Sequence, residues 1–356
     1  MRLFIILSCL CLSIYSYGQR PPAPNLPLAS LEDAGFNRDS INALDDIISN
    51  FPQNDFRGMV VIKNNKLVIE YYYTTFWRNQ ILDIRSAGKS ITSLLLGVAI
   101  KEGLVQNLDQ DVYSFFPKEK YPSMHEDYKK IKLKHLLDMS SGLDADSDRP
   151  ETPGQAGHWN AKDEWVEYLL SVPLADEPGK RWVYADINAA LVGAIIEEKS
   201  GMSLRDFAKE KVFDPLGIKQ FYWYTNAANQ TVAAGTLYLS TLDFAKLGVL
   251  VTNQGKWGNK QIIQAEYVKK IIERKGIDLS ETSSPTNAYG MLWYKTQGTF
   301  NNNKIDLLYA SGNGGNYLVV VPEENMVIAL TSAAYGPGYG HTRSRAILTK
   351  LLNALE

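Results

Sequence analysis

Apolar residues recur along the chain with two different spacings, and the two spacings occupy different regions. Near the N-terminus, Gly58–Ile62 and Leu67–Tyr73 are rich in β-branched and aromatic residues, and four polar residues join them, which predicts a β-hairpin. Near the C-terminus, similar runs predict strands at Tyr289–Lys295, Lys304–Tyr309, Tyr317–Val321 and Val327–Thr331. Strands are therefore expected at both ends of the chain.

Other segments show the three- and four-residue spacing of apolar positions that is typical of helices. Helices are predicted at Ser40–Phe51, Ile91–Gly103, Leu133–Met139, Trp165–Leu170, Asn188–Lys199, Leu204–Val212, Asp243–Thr252 and His341–Leu355. The simplest architecture pairs both groups of strands in one antiparallel sheet and packs the first and last helices on it. The predicted fold class is α+β.

The order of these elements suggests one catalytic domain with two lobes. An α/β lobe is predicted from residues 36–89 and 286–356, and a mostly helical lobe from residues 90–285. A binding site is expected in the cleft between the lobes. Residues 19–35, which are rich in proline and polar residues, are predicted to form an N-terminal tether.

The first 18 residues have the pattern of a secretory signal peptide. Arg2 precedes the apolar run Leu3–Ile14, small residues follow, and cleavage is expected after Gly18. The run is short for a membrane span, so none is expected in the mature chain. A buried N-terminal element, or a lipid on Cys9 or Cys11, is the alternative. Both cysteines lie in this segment, so a mature periplasmic or secreted protein would form no disulfide.

Composition excludes several classes of protein. The chain has 356 residues, of which 45% are hydrophobic and 21% charged, as in a globular enzyme. Lys+Arg is 37 and Asp+Glu is 39, so the net charge of −2 argues against a nucleic-acid partner. The chain contains no Gly-x-Ser-x-Gly elbow, no His-Glu-x-x-His and no P-loop. The oligomeric state does not follow from the sequence.

Ser86 and Lys89, directly before the predicted helix at Ile91, are a candidate nucleophile and base. Three residues are nearly one helical turn, so both side chains should share a face. A serine hydroxyl is a weak nucleophile until a base takes its proton. A lysine amine serves as that base only if its pKa falls well below about 10.4. The alternative is a capping serine beside a solvated lysine.

Two later segments carry further polar chemistry. Tyr184 lies just before the helix at Asn188, where its phenol is a candidate acid or base; a packed ring, with Asp186 as a helix cap, is the alternative. The glycine-rich stretch Ala310–Asn316 separates two predicted strands. Glycines there allow close approach of a ligand and present backbone N–H groups to an oxyanion, unless the stretch is only a hairpin.

These three segments, in this order, resemble the serine β-lactamase and penicillin-recognising enzymes, near class C β-lactamases, esterases and 6-aminohexanoate-dimer hydrolases. The likeness covers Asp55 to the end and includes His135–Leu143, Leu191–Glu197, Asp214–Ile218, Ala234–Ser240 and Asp243–Lys246. The resemblance implies a β-lactamase/transpeptidase-like fold and no metal or cofactor. It also implies a serine hydrolase whose partner is a small-molecule ester, amide or peptide.

The resemblance assigns roles to individual residues. Ser86 would be the acylated nucleophile, Lys89 would receive or steer its proton, and Tyr184 would pass a proton to the leaving group. The backbone N–H groups of Ser86 and Asn313 would form the oxyanion hole. Further candidates for substrate binding are Asp186, Asn188, Ser311, Gly312 and Gly314.

Two positions depart from the family pattern. The third residue of the Tyr-x-Asn motif is Asp186 here, with Asn188 as a candidate substitute. The third motif normally begins with Lys or His, which pairs with the carboxylate of a β-lactam, but Ala310 stands there. Lys295-Thr296-Gln297-Gly298 is a near match that is interpreted as a strand end.

These departures favour a small ester, amide or peptide as the substrate. A true β-lactamase or D-amino-acid peptidase is the first alternative. A non-catalytic binder of cell-wall peptides that retains the fold is the second. Specificity is expected to depend on the loops Asp144–Asn160 and Phe221–Thr231.

Overall fold

The structure, a computed structural model, describes residues 26–280, 286–300 and 303–356. The helices are α1 Arg38–Ser49, α2 Gly88–Lys101, α3 Leu133–Leu137, α4 Ala156–Trp159, α5 Trp165–Leu170, α6 Asp186–Ser200, α7 Leu204–Ala208, α8 Thr241–Thr252, α9 Ala265–Glu273 and α10 Tyr339–Asn353. The strands are β1 Phe56–Lys63, β2 Lys66–Tyr72, β3 Leu82–Asp83, β4 Tyr222–Trp223, β5 Leu237–Leu239, β6 Lys256–Trp257, β7 Lys260–Gln261, β8 Ile277–Asp278, β9 Ala288–Gly290, β10 Trp293–Phe300, β11 Asn303–Gly312, β12 Asn316–Val321 and β13 Met326–Ser332.

The centre of the molecule is an eight-stranded antiparallel sheet in the order β2-β1-β13-β12-β11-β10-β9-β8. The pairing of β1 with β13 joins the N-terminal hairpin to the C-terminal strands, which confirms the predicted sheet. Every residue of β12 and β13 is buried. These two strands are continuous apolar runs, without alternation, because helices cover both faces of the sheet.

Each face of the sheet carries its own hydrophobic cluster. On one face, α1 and α10 contribute Ile41, Leu44 and Leu351. On the other face, α8 packs against β1, β12 and β13. From its position in the sequence, α8 belongs to the predicted helical lobe. In the structure its apolar surface packs on the sheet, because Gly248 lets the helix approach the strands closely. A Cβ at Gly248 would lie only 2.5 Å from Val327 Cγ1.

One predicted strand is two strands in the structure. The run Tyr289–Lys295 divides into β9 and β10 at a turn formed by Met291 and Leu292, whose φ angles are 58° and 61°. The turn is buried and its backbone is bonded to neighbours: the Leu292 N–H donates to Leu137 O and the Ser90 hydroxyl donates to Leu292 O. Tertiary contacts therefore hold a turn that has none of the usual turn residues.

The N-terminal segment is predicted to contain a signal peptide and a tether. The predicted signal peptide, residues 1–18, lies outside the described residues. Within the predicted tether, Leu26 is buried and Leu28 forms a parallel bridge with Leu67, so the chain from residue 26 packs on the body. Among the helices described, none has the length and apolar character needed to cross a bilayer.

Helix α2 is the core helix that positions the candidate site. All its residues from Gly88 to Ala99 are buried, and it packs against α6. A helix that is buried on every side can only lie in the interior. The short 3-10 turn Arg85–Ala87 leads directly into α2, so the surrounding core fixes the position of that turn.

Glu197 on α6 ties three segments together by hydrogen bonds. Its Oε1 accepts the N–H of Leu204 at 2.8 Å and the N–H of Thr231 at 3.0 Å. Burial raises the pKa of this carboxyl to about 7, although the two backbone N–H groups act in the opposite direction. A carboxyl with a raised folded-state pKa stabilises the fold while it is protonated, and this contribution is lost as pH rises from about 4.5 through 7.

We predict that Glu197→Gln removes a pH-dependent part of the stability. Between pH 4.5 and 8 the wild type should lose up to about 3 kcal/mol of unfolding free energy relative to the variant, because glutamine accepts the same hydrogen bonds and carries no charge. Urea unfolding across this pH range measures the difference. The neighbouring Glu198→Gln is the control and should keep the wild-type slope. Parallel curves for wild type and Glu197→Gln would contradict the prediction.

Candidate active site

Ser86 lies in the 3-10 turn that begins α2, and strand β11 packs directly against this turn. The N–H of Arg85 donates to Asp83 Oδ1 at 2.8 Å, which holds Arg85 at a φ of 55°. A Cβ at Gly312 would lie 2.0 Å from Ile84 O, so only glycine permits the close approach of β11. The glycine-rich segment and the serine segment are therefore neighbours in the fold.

The ammonium group of Lys89 contacts oxygens from three parts of the chain. Lys89 Nζ lies 3.0 Å from Ser86 Oγ, 2.8 Å from Ala234 O and 2.7 Å from Asp186 Oδ1. Only 2% of the Lys89 side chain is exposed, against 27% for Asp186. The predicted proximity of Ser86 and Lys89 is thus present, and Asp186 is an ion-pair partner that the sequence did not reveal.

The protonation state of Lys89 differs from the one that a lysine needs to act as a base. Burial acts to lower its pKa, but the carboxylate of Asp186 and the side chain of Tyr184 outweigh burial and raise the pKa above its ordinary value. Lys89 is therefore an ammonium at neutral pH in this state. The low pKa that a lysine base needs is not found here, because a carboxylate occupies the third position of the Tyr-x-Asn motif.

Tyr184 lies beside Lys89 and is held by its neighbours. Its ring centroid is 5.0 Å from Lys89 Nζ, and the ring packs against Trp182 and Tyr289 with centroid distances of 6.2 and 6.5 Å. Ser147 fixes the backbone here, because its N–H donates to Tyr184 O and its hydroxyl accepts from the N–H of Asp186. The loop before α4 therefore positions both side chains.

A cavity of about 480 Å³ opens beside Ser86. Its lining residues are Arg85, Ser86, Ala156, Trp159, Asn160, Asp186, Val232, Ala234, Gly235, Thr236, Asn313, Tyr335 and Gly336. A larger cavity of about 770 Å³ lies beside α5 and α6, but none of its lining residues comes from the three motif segments. The cavity beside Ser86 is therefore the candidate active site, and its size suits a small organic ligand.

The predicted site residues divide into those that line this cavity and those that do not. Ser86, Asp186 and Asn313 line it. Asn188 is buried in α6, where its amide donates to Ala185 O and approaches Met139 Sδ. Ser311 pairs with Tyr317 on β12 and is not one of the lining residues.

The remaining predicted positions support the backbone around the cavity. Gly312 allows the contact of β11 with the serine turn, and Gly314 adopts a φ of 90° beside Tyr335. Lys295 does not line the cavity either, because its Nζ donates to Ile272 O and Arg274 O. Of the two predicted specificity loops, Asp144–Asn160 supplies Ala156, Trp159 and Asn160 to the lining.

Comparison with known proteins identifies the family. The sequence profile of the Beta-lactamase family matches residues 44–351, which is most of the chain. The protein belongs to the beta-lactamase family. Its likeness to an N-acetylmuramyl-L-alanine amidase of Bacillus subtilis (strain 168) is 27% identity over 61% of this chain and 55% of the amidase. A lovastatin esterase of Penicillium rubens (strain ATCC 28089 / DSM 1075 / NRRL 1951 / Wisconsin 54-1255) is 28% identical over 50% of this chain and 48% of the esterase.

The chain thus spans about half the length of these two curated relatives. Solved structures agree on the fold over more of the chain. A family VIII carboxylesterase superposes with a TM-score of 0.68 at 14% identity, covering 88% of this chain and 96% of the esterase. A penicillin-binding protein homologue from Pyrococcus abyssi gives 0.64 at 22% identity, covering 86% and 77%. Membership of the beta-lactamase family and the β-lactamase/transpeptidase-like fold are thereby established.

Sequence reasoning missed three features of this beta-lactamase-family site. The carbonyl of Ala234 accepts from Lys89, although that stretch had no predicted role. The guanidinium of Arg85 lies 4.2 Å from the ring centroid of Tyr335 at the cavity wall. Thr236 lines the cavity with a φ of 53° and a buried hydroxyl that has no hydrogen-bond partner.

Among the described residues, no three His, Cys, Asp or Glu side chains form a metal site.

We predict that Thr236→Gly stabilises the protein by about 1 kcal/mol. A β-branched residue is strained at positive φ, whereas glycine is not, and the change removes an unsatisfied hydroxyl. The free energy of urea unfolding measures the effect. Thr231→Gly is the matched control and should destabilise, because Thr231 accepts the N–H of Arg205 and lacks a positive φ. Any loss of unfolding free energy in Thr236→Gly would refute the prediction.

Proposed function

We propose that this beta-lactamase-family hydrolase forms an acyl-enzyme at Ser86 and cleaves a small ester or amide. The observation that carries the proposal is the 3.0 Å contact between Lys89 Nζ and Ser86 Oγ at the wall of a 480 Å³ cavity. A lysine that is fixed beside a serine at the start of a buried helix is an arrangement that activates a nucleophile. Tyr184 adjoins the pair and supplies the third polar group.

The reaction follows in two halves. The Ser86 oxygen forms a bond to the carbonyl carbon of the substrate, and the bond to the leaving alcohol or amine breaks. The proton of Ser86 ends on that leaving group. Water then forms a bond to the same carbon, the bond from that carbon to the Ser86 oxygen breaks, and one proton of the water returns to Ser86 while its hydroxyl stays on the acid product. During both halves, the backbone N–H groups of Ser86 and Asn313 are proposed to stabilise the oxyanion, since both residues line the cavity.

The residues at the motif positions favour a substrate that needs no basic residue from strand β11. Ala310 is fully buried and carries no charge where the family pattern has a basic residue. Arg85, the basic residue among the lining residues, is already paired with Asp83 and stacked on Tyr335. The esterase and amidase names among the relatives agree with this substrate class. The signal-like sequence of residues 1–18 supports export to the periplasm or the medium as part of the proposal.

We predict that a fluorophosphonate probe labels the wild type and fails to label Ser86→Ala. The probe needs an activated serine oxygen, and the variant removes that atom while keeping a buried helix start. Ser90→Ala is the matched control, because Ser90 lies in the same helix but donates to Leu292 O. Equal labelling of wild type and Ser86→Ala would remove the acyl-enzyme proposal and favour a binder that retains the fold.

A substrate panel then separates the remaining alternatives. We expect turnover of 4-nitrophenyl butyrate and of anilide amides to exceed turnover of nitrocefin and of a D-alanyl-D-alanine peptide by at least tenfold. The physical reason is the missing cation at position 310, which those carboxylate substrates would require. Efficient nitrocefin or peptide turnover by the wild type, absent in Ser86→Ala, would instead favour a β-lactamase or a D-amino-acid peptidase.

A further inference from the structure

We propose that Asp186 is a positioning residue that keeps Lys89 a fixed cation, so that Lys89 orients and stabilises the Ser86 oxygen and does not take its proton. The inference deepens the proposed function and rests on it. It concerns a position where the family pattern has asparagine and this chain has aspartate. The change from an amide to a carboxylate places a negative charge beside a buried amine.

The geometry around Lys89 suits an ammonium group. An ammonium has three N–H donors and no acceptor, and three oxygens surround Nζ at 2.7, 2.8 and 3.0 Å. One of these oxygens is the Asp186 carboxylate, which makes the shortest of the three contacts. A neutral amine would leave that carboxylate without a cation in a partly buried position, and this is unfavourable. The ion pair therefore fixes both the charge and the direction of Lys89.

The groups that face Lys89 come from three segments. Asp186 and Tyr184 approach from the start of α6, Ser86 from the turn before α2, and the uncharged Ala234 carbonyl from the loop before β5. Tyr289 packs behind Tyr184. Asp186 is the acidic side chain paired with Lys89 in the described part of the chain. Its removal therefore changes the charge balance at Nζ more than any other single substitution around it.

A cationic Lys89 leaves Tyr184 to move the proton. As the Ser86 oxygen bonds to the carbonyl carbon, its proton passes to the Tyr184 oxygen, and the Tyr184 proton passes to the leaving oxygen or nitrogen of the substrate. Tyr184 is neutral before and after the transfer, and Lys89 keeps all three of its protons. Lys89 donates a hydrogen bond to the Ser86 oxygen throughout, and this bond strengthens as negative charge develops there.

The test is the pH dependence of kcat/KM for 4-nitrophenyl butyrate in Asp186→Asn. Without the carboxylate, burial dominates and Lys89 loses its proton at a lower pH. We therefore expect the alkaline limb of the profile to move down by at least one pH unit. We also expect kcat to fall at least tenfold with KM changed by less than threefold. Asp186→Glu keeps a carboxylate and should keep the alkaline limb near that of the wild type.

Two controls keep the result interpretable. Asp214→Asn removes a carboxylate that is paired with Lys209 at the surface, and it should leave the profile unchanged. Asp186→Ser is measured in parallel, because serine is a small uncharged polar residue and the variant tests the charge if Asp186→Asn does not fold. A shift of the alkaline limb in either charge-removing variant, with rescue in Asp186→Glu, supports the inference.

Two outcomes would overturn the inference. An acid limb that moves to lower pH, with higher activity at neutral pH in Asp186→Asn, would show that Lys89 is the base. An unchanged profile would show that Asp186 only packs. Both outcomes are distinct from failure of the proposed function, because they require a wild type that hydrolyses the ester and is labelled at Ser86.

Discussion

The structure depends on one buried contact, the ammonium group of Lys89 with oxygens from three separate segments. The turn before α2 supplies Ser86, the loop before β5 supplies Ala234, and the start of α6 supplies Asp186. A charge with 2% exposure is stable in the interior only if its hydrogen bonds are satisfied. The requirement to satisfy this cation joins the turn before α2, the loop before β5 and the start of α6, and the candidate site lies where these three segments meet.

Much of the surrounding architecture serves to hold that contact still. Helix α2 is buried on all sides, so the turn that precedes it cannot shift without disturbing the core. Gly312 allows β11 to press against the same turn, and the Ser147 hydroxyl fixes the N–H of Asp186. Rigid elements on several sides are what a preorganised site needs, because small displacements of reacting groups are costly.

The residues at positions 186 and 310 give this member of the beta-lactamase family its own character. Aspartate at position 186 places a carboxylate beside Lys89, and the buried Ala310 on β11 stands where the family pattern has a basic residue. Both changes make the site more negative than the family pattern, and they lie in different segments. The chain thus keeps the serine and lysine of the family pattern but differs from it in charge at two positions of the motifs.

Local patterns in the sequence predicted what depends on local physics. The apolar pattern indicated the hairpin β1–β2, the long helices and the strands β11 to β13, because burial on one face leaves a periodic trace and burial on both faces leaves a continuous apolar run. The three-residue spacing of Ser86 and Lys89 predicted their proximity because three residues are nearly one helical turn. The ion pair of Lys89 with Asp186, the buried turn at Met291, the packing of α8 on the sheet and the strained Thr236 were decided only in the tertiary structure. Each of these is fixed by partners far away in the chain, and no short window of sequence contains both sides of such a contact.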